Sequence, residues 1–84
     1  MSYRISLSSR AERDLKKLSG RTYLRVQAAI RDLSDNSRPP GCRKLAQVNE
    51  WRIRVGDYRI RYRIDDTHQE IIVTSIRHRR EVYR

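Results

Sequence analysis

Apolar and polar residues alternate along two consecutive stretches. Trp51, Ile53 and Val55 are separated by Arg52 and Arg54; beyond Gly56-Asp57, Tyr58, Ile60, Tyr62 and Ile64 are separated by Arg59, Arg61 and Arg63. Period-two alternation predicts two half-buried strands. A two-residue Gly-X loop between them predicts a tight type II′ hairpin, with Gly56 taking the positive φ that this turn requires. The turn sets the register. Val55 faces Tyr58, Ile53 faces Ile60 and Trp51 faces Tyr62 on one side of the sheet. On the other side Arg54 lies opposite Arg59, Arg52 opposite Arg61, and Glu50 opposite Arg63.

Around this hairpin the pattern predicts the remaining elements. Tyr3, Ile5 and Leu7 alternate with Arg4 and Ser6 as a first strand. Ser9-Arg10-Ala11-Glu12 has the Ser-x-x-Glu spacing of a capping box, so a helix is expected to begin at Ser9. Its apolar stripe is Ala11, Leu15 and Leu18, with Arg10, Arg13, Lys16 and Lys17 outside it. Ser19-Gly20 breaks that helix, and Tyr23, Val26, Ile30 and Leu33 mark the buried face of a second. Two helices so closely joined form an antiparallel hairpin. Arg38-Pro39-Pro40-Gly41 is a rigid connector, followed by Arg43, Lys44 and Leu45 as the approach to the central hairpin. Asp65-Asp66-Thr67-His68 reads as a turn. Glu70 to Ile76 is apolar on both faces, Ile71 and Val73 against Ile72 and Ile76, as in an interior strand.

The expected fold class is therefore α+β: a strand, a helical hairpin, then three consecutive antiparallel strands, with the helices on one face of a mainly antiparallel sheet. The 84 residues suffice for one domain, residues 1–84, of one helix layer on one sheet. The helices must cover the side carrying Trp51, Ile53, Ile60 and Tyr62, which assigns Trp51, Tyr58 and Tyr62 to packing. The arginine side is left open, bounded by the Pro-rich connector and the C-terminal tail.

Composition sharpens this picture. The net charge is +10, and only Lys16, Lys17 and Lys44 among the basic residues are lysine. Solubility does not call for arginine over lysine, whereas recognition of phosphate, carboxylate or stacked bases does. Like charges directly opposite in a sheet are destabilising, so a face that forces Arg54 onto Arg59 and Arg52 onto Arg61 reads as an anion site rather than a merely solvated surface. With tyrosines at its margin it has the make-up of a nucleic-acid surface. The single Cys42 excludes an internal disulfide and suits a reducing cytosol. Two histidines and one cysteine at these spacings make no recognisable metal site, and no cofactor is expected. No apolar run reaches membrane-spanning length and no signal peptide is visible, so a cytoplasmic location without membrane contact is expected.

Three further residues could carry chemistry. His78, flanked by Arg77, Arg79 and Arg80, is either a solvated histidine or a general acid or base, since neighbouring cations disfavour its charged form. Lys44 is the alternative proton carrier. Tyr83 either stacks on a substrate base or closes the end of the domain.

Lys44-Leu45 before the hairpin, Gly56-x-Tyr58-Arg59-x-x-Tyr62 and the ending His78-Arg79-Arg80-Glu81-Val82-Tyr83 together resemble the RelE/ParE superfamily of type II toxin–antitoxin toxins. The likeness spans essentially the whole chain and favours the RelE branch over the gyrase-poisoning ParE branch. It implies a metal-independent endoribonuclease that enters the ribosomal A site and cuts mRNA there by 2′-hydroxyl attack, leaving a 2′,3′-cyclic phosphate. Carried over by position, Arg59 matches the hairpin arginine that stabilises the transition state. Arg79 matches the arginine near the scissile phosphate, and Tyr83 the tyrosine that orients the substrate. Arg52 and Arg54 stand where well-known members carry lysines used in proton transfer. Arginine is a poor base, which turns attention to His78 or Lys44 as catalytic groups and leaves Arg52, Arg54, Arg61 and Arg80 to bind RNA. The resemblance also implies a cognate antitoxin that covers the basic face, and promoter DNA bound through the antitoxin complex. The alternative is a ParE-like gyrase poison or a non-catalytic basic binding protein of the same fold.

Overall fold

The computed structural model describes residues 2–82, with the side chains of residues 81 and 82 outside the description. The chain runs β1 (Arg4–Leu7), α1 (Ser9–Lys16), α2 (Gly20–Asp32), β2 (Arg43–Lys44), β3 (Trp51–Val55), β4 (Tyr58–Asp65), β5 (Glu70–His78) and α3 (Arg79–Val82). One sheet of order β1-β5-β4-β3-β2 results. The helical hairpin carries the chain from one edge of the sheet to the other, and three antiparallel steps bring it back until β5 lies parallel to β1. The α+β class stands as expected. The short edge strand β2 is an addition: two residues are too few to show a period.

The hairpin register is the expected one, from Val55 with Tyr58 to Trp51 with Tyr62. Gly56 has φ +59°, the left-handed value that glycine adopts without a Cβ penalty. The side carrying Ile53, Ile60 and Tyr62 is buried against Val26, Ile30 and Leu33 of α2 and its end, with Ala11 from α1 completing the core. Trp51, Tyr58, Leu15 and Cys42 pack at its margin. The Tyr62 hydroxyl donates to the Ser37 carbonyl at 2.9 Å, tying the Pro-rich connector to this same helical side rather than to the border of the arginine face.

Two expectations are corrected. The cap of α1 is Ser8, one residue earlier than the Ser-x-x-Glu spacing suggests. Its extended backbone places Oγ 3.1 Å from the Ala11 amide, which it accepts. The same hydroxyl donates to the Thr74 carbonyl at 3.0 Å. Position 8 wins because it caps the helix and closes onto β5 with one atom.

The second correction lies in β5. Arg61 pairs with Ser75, but Tyr62 pairs with Val73, so Thr74 is an extra residue: a β-bulge. Strict alternation puts Ile76 opposite in face to Val73. The bulge shifts the phase, and Ile71, Val73 and Ile76 are all buried on the helical side while Ile72 is left 41% exposed. The Thr74 hydroxyl donates to the Arg61 carbonyl at 3.2 Å, which stitches the irregularity shut. β1 pairs only as far as Val73, and α1 covers the β5 edge beyond it: Asp14 Oδ2 accepts the Ile76 amide at 3.0 Å.

Candidate functional site

Three adjacent strands place their arginines in rows across the open face. Arg54 on β3 pairs with Arg59 on β4, which pairs with Arg77 on β5. In the next row Arg43 on β2 pairs with Arg52, Arg52 with Arg61, and Arg61 with Ser75. Antiparallel partners share a face, so the face holds more guanidinium than the hairpin pattern indicates. Arg43 and Arg77 are the additions. Arg77 is on this side only because the bulge at Thr74 turns it there.

The charge is not uniform. Glu50 is 7% exposed. Its Oε1 accepts Arg61 Nε and lies 2.9 Å from Arg61 Nη2, and its Oε2 accepts Arg63 Nε at 3.3 Å. That end of the face sets one carboxylate between two guanidinium groups. At the hairpin tip the balance is different. Arg54, Arg59 and Arg79 line one cavity of about 250 Å³ together with Gly56, Asp57 and Tyr58. Arg79 opens α3, and its amide donates to the Asp57 carbonyl at 2.7 Å, while its Nη1 lies 3.8 Å from Asp57 Oδ1. The turn thereby brings the C-terminal arginine beside the hairpin arginines. Guanidinium forks arranged around a small cavity suit a phosphodiester.

The other expected site residues lie elsewhere. His78 pairs with Tyr58, on the helical side of the sheet. Its ring meets the Tyr58 ring edge-on, centroids 5.2 Å apart at 89°. It lines a second cavity, of about 370 Å³, with Thr22, Arg25, Val55, Gly56, Asp57 and Tyr58. His78 Nδ1 accepts the Arg80 amide at 3.2 Å, so in the neutral ring the proton sits on Nε2. Lys44 pairs with Trp51 and is likewise on the helical side; its Nζ donates to Asn49 Oδ1 at 2.7 Å and lies 5.7 Å from the Trp51 ring centre. Neither His78 nor Lys44 is among the residues lining the arginine cavity. Arg80 is exposed at the start of α3. Tyr83 lies outside the described residues.

Comparison with known proteins agrees with this architecture. Residues 5–83 match the model of the ParE toxin of type II toxin–antitoxin system, parDE. The toxin RelG of Mycobacterium tuberculosis is 36% identical over 88 residues, covering 100% of this chain and 99% of the relative. The toxin–antitoxin complex RelBE2 from the same organism matches with a TM-score of 0.82 at 30% identity, over 93% of this chain and 99% of that one. The archaeal RelE–RelB complex from Pyrococcus horikoshii matches in fold with a TM-score of 0.83 at 24% identity, over 94% of this chain and 97% of that one.

Proposed function

The chain belongs to the RelE/ParE superfamily of type II toxin–antitoxin toxins, and on that footing we propose that it is a ribosome-dependent endoribonuclease cutting mRNA in the A site. The observation that carries this reading is the convergence of Arg54, Arg59 and Arg79 on one small cavity. In the reaction the 2′-hydroxyl oxygen bonds to the adjacent phosphorus as the bond to the 5′-oxygen breaks. A 2′,3′-cyclic phosphate and a free 5′-hydroxyl result. Negative charge grows on the phosphoryl oxygens, where preorganised guanidinium donors stabilise it more than the ground state.

Arg59 and Arg79 are the catalytic clamp in this reading, with Arg52, Arg54 and Arg61 holding the strand on either side. Protons pass to and from water, because the cavity-lining arginines do not give theirs up. His78 acts from the far side of the turn as a positioning residue: it holds the Arg80 amide and so the start of the segment bearing Arg79. Arg80 extends the charge along that segment, and Lys44 braces Trp51 at the far edge of the sheet.

Single-turnover cleavage on programmed ribosomes against pH tests both parts. Arg59→Ala is expected to lose at least about a hundredfold, as for removal of a transition-state donor. His78→Gln is expected to lower the rate without moving the pH profile. A moved profile would give the proton to His78 instead.

The partner is a cognate antitoxin: the RelBE2 and RelE–RelB matches are complexes of toxin with antitoxin. A segment carrying carboxylates across the arginine rows would block RNA, and promoter DNA would be bound through the antitoxin. The family model's ParE description favours one second reading, a gyrase poison. Induced expression separates them, by cut mRNA and arrested translation on one side and DNA damage on the other.

A further inference from the structure

The bulge at Thr74 does more than preserve the core. By parity alone Ser75 and Arg77 belong with Val73, on the buried side. The extra residue turns both onto the open face, Ser75 beside Arg61 and Arg77 beside Arg59. Bulges next to functional sites commonly re-aim a side chain in this way. A cavity of about 350 Å³ lies over this point, lined by Arg10, Glu50, Arg61, Thr74, Ser75 and Arg77. Arg10 comes from α1, and Asp14 holds it there: Asp14 Oδ2 lies 3.8 Å from Arg10 Nε while accepting the Ile76 amide.

The chemistry of this cavity differs from that at the hairpin tip. Arg61 and Arg63 share Glu50, and Asp14 lies 3.8 Å from Arg10, so two carboxylates are set among its guanidinium groups while the cavity stays positive overall. What it offers is a mixture of directed donors and acceptors. The carboxylate of Glu50 has about four lone-pair sites, of which Arg61 and Arg63 occupy three. The Ser75 hydroxyl can donate or accept. Guanidinium planes at the rim provide surfaces on which a base can stack. A phosphate entering here would meet the Glu50 carboxylate as well as the guanidinium groups. The edge of a nucleobase, with its own donors and acceptors, fits.

We infer that this cavity is a nucleobase subsite, in which Ser75, Arg77 and Arg10 read the base of a nucleotide next to the one whose phosphate sits at Arg54, Arg59 and Arg79. Arg59 of the first cavity pairs with Arg77 of the second on neighbouring strands, so the two adjoin on one face and one RNA strand can cross both. The inference rests on the RNA-cutting reading and deepens it: the clamp sets how fast RNA is cut, and the bulge pocket sets which RNA.

The test measures preference rather than rate. Wild type, Ser75→Ala, Ser75→Thr and Arg10→Ala are assayed for single-turnover cleavage on ribosomes whose A-site codons carry each of the four bases at each position in turn. In parallel, affinity for short 2′-O-methyl RNAs varying in the same positions is read by fluorescence anisotropy, which needs no cleavage. Urea melting checks that each variant is folded. Ser75→Ala and Arg10→Ala are expected to change the ratio between bases at one position by about three- to tenfold, the worth of a single hydrogen bond. Ser75→Thr, which keeps the hydroxyl, is expected to retain the wild-type preference. A uniform loss over all bases, or no change, overturns the subsite. If wild type binds the RNAs with base preference but cuts none, the nuclease reading fails and the anisotropy series still decides the pocket.

Discussion

At the scale of single residues, the open face is built against its own electrostatics. Arg54, Arg59 and Arg77 lie side by side across three strands, an arrangement that costs stability relative to opposite-charge neighbours. Arg59→Ala is therefore expected to leave the unfolding free energy from urea melts within about 0.5 kcal/mol of wild type or slightly above it, while cleavage collapses. A variant that melts far lower would make Arg59 a structural residue. Glu50 is the contrary case. Its buried carboxylate serves Arg61 and Arg63, and Glu50→Ala is expected to cost about 1–3 kcal/mol by removing charged hydrogen bonds, measured by the same melts. Both residues were visible in the hairpin pattern. Arg43 and Arg77 were not, because the first sits in a two-residue strand and the second beyond a phase shift.

At the scale of elements, two local irregularities organise the site. The α1 cap falls on Ser8, whose hydroxyl also reaches the Thr74 carbonyl at the bulge. Ser8→Ala is expected to destabilise by about 1–2 kcal/mol, whereas Ser9→Ala stays within about 0.5 kcal/mol; equal effects in thermal melts would contradict the assignment. The bulge itself had a sequence signal. Arg77 has the parity of Ile71 and Val73, so an unbroken alternation would have buried a charge. Demanding that Arg77 face outward requires one extra residue between Val73 and Ile76, where Thr74-Ser75 is the polar interruption.

At the scale of the molecule, the end of the sheet remote from the arginine cavity carries its own polar tie. Arg38 Nη2 donates to Asp66 Oδ2 at 2.9 Å, and the Tyr3 hydroxyl donates to Asp66 Oδ1 at 2.6 Å. These bonds hold the Asp66 carboxyl below its ordinary range, Arg38 contributing most. The His68 amide, foremost, lowers Asp65 in the same way. A carboxyl lowered on folding stabilises above its unfolded value near pH 4, and that contribution is lost as pH falls through the lower folded value. Melting temperature is expected to drop on acidification below about pH 4, with a shallower drop in Asp66→Asn. Burial raises the Tyr62 phenol. A raised group stabilises below its unfolded value near pH 10 and loses that contribution as pH climbs through the folded one, so Tyr62→Phe is expected to weaken the alkaline loss. The net charge of +10 also acts on the whole. Antitoxin affinity is expected to fall as salt rises, in calorimetric titrations, to the extent that surface charge carries it.

Periodicity and one glycine determined the hairpin, its register and its arginine face, because those depend on contacts between residues close along the chain. The same locality made α1 and α2, the buried Tyr62 and the place of Arg59 on the open face legible, and the shared motifs carried the family. Which side of the sheet His78 occupies is not a local property. It depends on the phase of β5, which the bulge resets through bonds to α1 and β4, and it separates His78 from the arginines that precede and follow it in sequence. The pairing of β5 with β1 and of β2 with β3 is likewise decided only when distant segments meet. The rows of arginine and the pocket over the bulge exist only after that closure.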